Sequence, residues 1–239
     1  MWPRKAREVM SANMLVLAID TSGSGCATAV YDGAARVVLA RAQEDIGRGH
    51  AERLMAFVDE ALGASARRLE DIDRIAVTVG PGSFTGIRVG VAAARGLALA
   101  LGKPAVGVTT LHAVAESARK ADPGRPVLAV IDAKRDEVYA QSFDALGQPE
   151  TAAEVLPVGL ARERFSGFDG LVCGSATHLV AGSEMAGEAS RKADMIDIAV
   201  VARLGAAADP ASAKPKPLYL RGADAKPQAG FAVTRAVAG

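Results

Sequence analysis

Residues 80–90 read GPGSFTGIRVG, from Gly80 to Gly90. The short apolar run Ile75–Val79 precedes them. Ile87–Leu101 follows, in which every residue except Arg88 and Arg95 is apolar or small. A strand that passes through a glycine-rich turn into a helix is a building unit of α/β folds, so this stretch sets the fold class. Gly102 and Pro104 close the helix. Main-chain N–H groups at such a turn, aided by the helix dipole, can hold an anion. The glycines can equally serve a tight turn alone, and the residues do not choose between the two. No lysine follows the last glycine, so the turn is not a Walker loop. The third glycine falls one place late for a dinucleotide fingerprint, and Lys103 and Pro104 stand where that motif needs an acid.

Working outward, Leu15–Asp20 reads as a buried strand, with a return at Ala27–Tyr31 after the turn Ser22-Gly23-Ser24-Gly25. Val37–Arg41 makes a third strand. Residues 50–62 place Leu54, Met55, Val58, Ala61 and Leu62 at helical spacing, with Gly63 as a stop. Ala105–Val108 is a further strand and Thr110–Arg119 a further helix. A second pattern then repeats the first. Val16-Leu17-Ala18-Ile19-Asp20 matches Leu128-Ala129-Val130-Ile131-Asp132, and Tyr31-Asp32 matches Phe143-Asp144, both pairs standing 112 positions apart. Two strand-first α/β lobes facing across a cleft follow from this duplication. The second is the poorer, with Leu171–Ser175 and a weak helix where the first has its glycine-rich turn. Met195–Ala208 reads as a C-terminal helix, and Pro210–Pro217 as an extended connection to Leu218-Tyr219-Leu220-Arg221. The expected units are a leader at 1–13, a first lobe at 14–108, a second at 109–194, and a C-terminal helix with tail at 195–239 that packs back on the first lobe.

The bulk numbers narrow the class. The 239 residues are 50% hydrophobic with a net charge of +1, so a large core is affordable and nothing global attracts nucleic acid. Cys26 and Cys173 form no disulfide framework, which suits a reducing compartment. The basic start lacks the apolar region of a signal peptide. Val89–Leu101 is too short to span a bilayer, so a soluble, cytoplasmic protein is expected. His50, His112 and His178 are scattered, and there is no Cys-x-x-Cys or Gly-x-Ser-x-Gly. His112 and Glu116, at i,i+4, read as a surface pair. Asp20, Thr21 and Ser22, with Gly80, Gly82, Ser83, Thr85 and Gly86, form a candidate nucleotide or phosphate loop, with Asp132 facing it from the second lobe. Gly90, Ala93, Ala94, Gly96 and Ala98 would let another helix approach closely, either within the chain or from a partner.

These pieces resemble the TsaB (YeaZ) family. The likeness runs from about Leu15 to Asp224 through LAIDTS (17–22), GRGHAERL (47–54), GPGSFTGIRVGVAAARGLA (80–98), GVTTLHAVA (107–115), DAKRDEVYA (132–140) and PLYLRGADA (217–225). It implies the actin/Hsp70/sugar-kinase fold, with two RNase H-like lobes and a reduced second lobe. It also implies a non-catalytic dimerisation subunit, not an enzyme. That subunit would pair with TsaD and TsaE for threonylcarbamoyl transfer to adenosine 37 of tRNAs reading ANN codons. The tRNA would be met indirectly, through the complex. ATP or ADP at the complex interface, and a homodimer without TsaD, also come with the resemblance. TsaD should carry His-x-x-x-His where this chain has Thr110 and Val114. The implied partner face lies on His50, Leu54 and Val58 of one helix and Arg88, Val91, Ala94, Arg95 and Ala98 of the other. The competing reading is an autonomous nucleotide-dependent enzyme or a glycoprotease-like hydrolase.

Overall fold

A computed structural model describes residues 14–181 and 196–221. In chain order the elements are β1 (Leu15–Asp20), β2 (Gly25–Asp32), β3 (Val37–Asp45), α1 (His50–Ala64), β4 (Arg74–Thr78), α2 (Phe84–Leu101), β5 (Ala105–Val108), α3 (Thr110–Ala121), β6 (Val127–Lys134), β7 (Glu137–Phe143), β8 (Glu154–Pro157), α4 (Val158–Arg164), β9 (Leu171–Cys173), α5 (Thr177–Val180) and α6 (Ile198–Ala207). The leader 1–13, Met195 and the tail from Ala223 lie outside the described residues.

One sheet has the order β3-β2-β1-β4-β5 and the other β8-β7-β6-β9. In the first, β1 runs antiparallel to β2 and parallel to β4. In the second, β6 runs antiparallel to β7 and parallel to β9. The repeat read from the sequence is therefore a repeat of topology, and the expected pair of lobes is observed. Among the described residues the second lobe is the smaller, with four strands and with helices of 7 and 4 residues on its outer face.

β1 is apolar up to Asp20 because both faces of its sheet are covered. Leu17 and Ile19 pack with Leu54, Val58, Ile87 and Ala94 of α1 and α2. Val16 and Ala18 point the other way, onto Ile198 and Val201 of α6. In the second lobe, α3 lays Leu111 and Ala115 on Val127, Ala129 and Phe143. The helices α3 and α6 thus lie between the sheets, and Arg203 of α6 reaches Glu116 of α3 at 3.3 Å. Arg74 Nη1 secures the end of α6 by donating to the carbonyls of Gly205, Ala206 and Ala208 at 2.8–3.0 Å. Beyond α6 the chain runs back across both lobes. The Gly107 N–H donates to the Ala213 carbonyl at 2.9 Å and the Leu218 N–H to the Val79 carbonyl at 2.7 Å. Arg221 then pairs with Glu137.

Several boundaries differ from the sequence reading. The helix expected at Ile87 begins at Phe84, because Ser83 Oγ accepts from the Gly86 N–H at 3.2 Å and caps it. That makes α2 18 residues, long and apolar enough by length and composition to cross a membrane, which corrects the expectation of a run too short to do so. Its buried side nevertheless packs on the first sheet. Gly63 does not stop α1, which runs on to Ala64. β8 and α4 were not anticipated, since four- and seven-residue elements are too short for a periodicity to show.

Candidate functional site

The structure brings the two halves of the candidate loop together and knits them shut. The Ser83 N–H donates to the Ser22 carbonyl at 2.7 Å, and Thr21 Oγ1 donates to the Gly86 carbonyl at 2.7 Å. The glycines are required by this approach. A Cβ at Gly82 would lie 2.2 Å from Ser22 O, one at Gly86 2.0 Å from Thr21 O, and one at Gly90 2.4 Å from Thr21 Oγ1. Gly80 and Gly82 also have φ of 101° and 156°. Asp20 is buried, and its Oδ1 accepts from the Ser22 N–H (3.0 Å), Ser22 Oγ (2.7 Å) and Thr78 Oγ1 (2.6 Å). Asp20 and Thr21 therefore serve the junction between β1 and α2, whereas Ser83 and Thr85 are exposed.

Beside this junction lies a cleft of about 400 Å³ between the lobes. It is lined by Ser22, Ser24, Gly82 and Ser83 of the first lobe, by Asp132, Lys134 and Ser175 of the second, and by Thr110, Val114 and Ile196. Asp132 does face the first lobe, as the repeat suggested. Burial raises its pKa, but the hydrogen bonds and charge of Lys134, with Nζ at 2.6 Å, outweigh this and hold it below the usual carboxylate value. Lys134, Arg135 and Asp136 turn the hairpin with φ of 63°, 57° and 58°, three successive left-handed residues, of which Lys134 lines the cleft. Sequence reading missed Ser24 and Ser175 as lining residues. Serines in turns carry no mark of which cavity they border.

The implied partner face needs correction. Leu54, Val58, Val91 and Ala94 are at most 4% exposed and belong to the first lobe's own core, so they cannot touch a partner directly. His50 is buried too, its Nε2 3.2 Å from the Gly25 carbonyl. Arg88 and Arg95 are exposed and Ala98 is half-buried. What α2 offers to solvent is a different stripe, Phe84, Arg88, Ala92, Arg95, Gly96 and Leu99, with Leu99 86% exposed. Met55 of the neighbouring α1 is exposed as well. Arg88 stacks over the Phe84 ring at 3.7 Å and donates from Nε to Tyr219 Oη at 2.9 Å, so the PLYLR segment completes one end of this stripe. Leu99 lies four residues beyond Arg95 on the same stripe, which was the available signal.

His112 and Glu116 are not a surface pair. Glu116 is 4% exposed, and Arg119 holds both its oxygens at 2.5 and 2.7 Å. Burial lowers the pKa of His112, which stacks on Phe143 at 5.3 Å between ring centroids. Cys26 and Cys173 are free, their thiols pushed up to about 11 and about 12, chiefly by burial.

Comparison with known proteins places this geometry. Residues 39–158 match the family described as TsaD: tRNA N6-adenosine threonylcarbamoyltransferase. The Escherichia coli tRNA threonylcarbamoyladenosine biosynthesis protein TsaB is 35% identical over 162 residues, covering 66% of this chain and 68% of that one. Across three TsaB relatives the aligned part spans between 52% and 68% of their length. A solved Pseudomonas aeruginosa structure, described as similar to peptidase YeaZ, superposes with a TM-score of 0.71 at 29% identity, covering 87% of this chain and all of that one. The tRNA N6-adenosine threonylcarbamoyltransferase of a Jannaschia species is 48% identical over 79 residues, but these cover only 22% of that enzyme. The duplicated lobes, the knitted GPGSFTG turn and the span of the match agree, and the chain belongs to the TsaB (YeaZ) family, whose named members are tRNA threonylcarbamoyladenosine biosynthesis proteins.

Proposed function

We propose that this chain is a non-catalytic scaffold that pairs with TsaD and, in the assembled complex, with TsaE. The complex transfers threonylcarbamoyl to adenosine 37 of tRNAs that read ANN codons, and the chain meets tRNA only through it, in the cytoplasm. The observation that carries the reading is the outer stripe of α2. It presents Leu99 at 86% exposure and Phe84 at 52% on an 18-residue helix that rests on the first lobe by its other side. Apolar side chains exposed in this way mark association surfaces. The Asp20 loop supports the non-catalytic part. Its carboxylate oxygen Oδ1 takes three internal hydrogen bonds that tie β1 to its own turn and to Thr78, a structural use of the side chain. ATP or ADP is accordingly assigned to the interface with TsaD. The same stripe pairs two copies when TsaD is absent.

The test is to mix the purified chain with its cognate TsaD and TsaE and measure complex mass and threonylcarbamoyladenosine formed on tRNA. Complex formation and modification that depend on this chain are expected. Modification at full rate without it would overturn the reading. So would ATP or peptide hydrolysis by the chain alone that is lost on Asp20→Ala.

A further inference from the structure

We infer that the ion pair of Arg221 with Glu137 is a clasp that positions the docking stripe. It holds residues 218–221 in place and, through Tyr219, sets the orientation of Arg88. The inference rests on the reading that the stripe of α2 receives TsaD. Residues 213–220 form no helix or strand, so individual contacts must fix their path. Two of these contacts are made to the first lobe, by the Ala213 carbonyl from the Gly107 N–H at 2.9 Å and by the Leu218 N–H to the Val79 carbonyl at 2.7 Å. The approach is close. A Cβ at Gly107 would lie 2.9 Å from the Lys214 carbonyl oxygen, and one at Gly80 would lie 3.1 Å from that of Leu218. Beyond Leu218, Arg221 reaches across to Glu137, the first residue of β7 in the second lobe. Tyr219 stands between these two fixed points.

Tyr219 carries that restraint to the docking face. Its ring centroid lies 5.3 Å from that of Phe84, and its Oη accepts from Arg88 Nε at 2.9 Å. The Arg88 guanidinium also stacks on the Phe84 ring at 3.7 Å. Stacking fixes the plane of a guanidinium, and the hydrogen bond to Tyr219 fixes its rotation within that plane. Both partners are aromatic side chains, so the charge is oriented without being neutralised. A surface arginine left loose gives up side-chain entropy when it binds. One oriented beforehand has already given it up, which favours docking, and its planar fork suits a carboxylate on the partner's surface. The second lobe thus contributes to docking without touching the partner. Glu137 acts through Arg221, Tyr219 and Arg88, and is a positioning residue.

The experiment uses the full chain in two measurements: hydrogen exchange of the Arg88 Nε–H by NMR, and affinity for the cognate TsaD by calorimetry. The variants are Glu137→Ala, Arg221→Lys, Tyr219→Phe and the double variant Glu137→Ala/Tyr219→Phe. A protected Nε–H is expected in wild type and in Arg221→Lys, which keeps the ion pair. In Glu137→Ala the same proton should exchange at least about fivefold faster, as a locally loosened contact does. That variant should bind TsaD about three- to tenfold more weakly, the usual size of coupling through intervening residues. Tyr219→Phe should weaken binding by a similar factor, and the double variant little further, because both changes act on one path. A pair that served only the fold would lower the melting temperature of Glu137→Ala and leave the Arg88 signal unchanged. That result would overturn the inference, and so would additive losses in the double variant. Failure of the wild type to bind TsaD would refute the pairing instead, and the Arg88 Nε–H would still decide the clasp.

Discussion

Helix α2 passes so close to β1 at Gly86 that a methyl group there would meet the Thr21 carbonyl at 2.0 Å. Gly86→Ala is therefore expected to lower unfolding free energy by about 1–3 kcal/mol, the usual cost of overpacking a tight contact. A urea melt checks it, and an unchanged midpoint would contradict the close approach. His112 and Glu116 make a second test. The His112 imidazole has a pKa below its ordinary 6.5 in the folded chain, so the unfolded state binds the proton more readily. Its contribution is complete above pH 6.5 and falls as pH drops toward the folded value. Glu116 is also lowered: burial raises it, but Arg119 and Arg203 outweigh that, so its contribution is lost at still lower pH. The melting temperature should decline on acidification below pH 6.5, and replacing His112 with Phe should flatten the first part of that decline. The glycine pattern was visible in the sequence. Its cause was not, because no spacing shows that Gly82, Gly86 and Gly90 all face Ser22 and Thr21.

Among the elements, α2 was the easiest to locate and the hardest to orient. A helix made of alanine, glycine, valine and leucine has almost no polar side to mark solvent, so buried Val91 and Ala94 look like exposed Ala92 and Leu99. Periodicity found the helix and packing decided its faces. Ala94→Glu now carries a different expectation from that of a partner-facing residue. Ala94 is fully buried among Leu17, Ile19 and Val77, so an unpaired carboxylate there should cost about 3–5 kcal/mol and unfold the isolated chain. Circular dichroism of the purified variant checks it. A variant that keeps its fold and loses only its partner would contradict this placement.

At the scale of the whole molecule, the duplication was legible because Asp20 and Asp132 end equivalent strands, and a strand ending in aspartate leaves the same trace twice. The reduced second lobe was legible only as a shortage. β8, α4 and α5 are too brief for a pattern, and α6 comes from far along the chain to cover the other face of the first sheet. The cleft, lined from both lobes, could not be read from local sequence at all. With α1 and α2 on one face of the first sheet and α6 on the other, the outer stripe of α2 is left open among the described residues, on the far side of that sheet from α6. The central claim is that this stripe receives TsaD. The most direct measurement is the mass and affinity of the chain–TsaD mixture with wild type and with Leu99→Glu, whose side chain lies outside this chain's core. The expected result is a heterodimer with wild type, and a variant with an unchanged circular-dichroism spectrum that binds TsaD at least about tenfold more weakly. A folded Leu99→Glu chain that binds TsaD as tightly as wild type would contradict the claim.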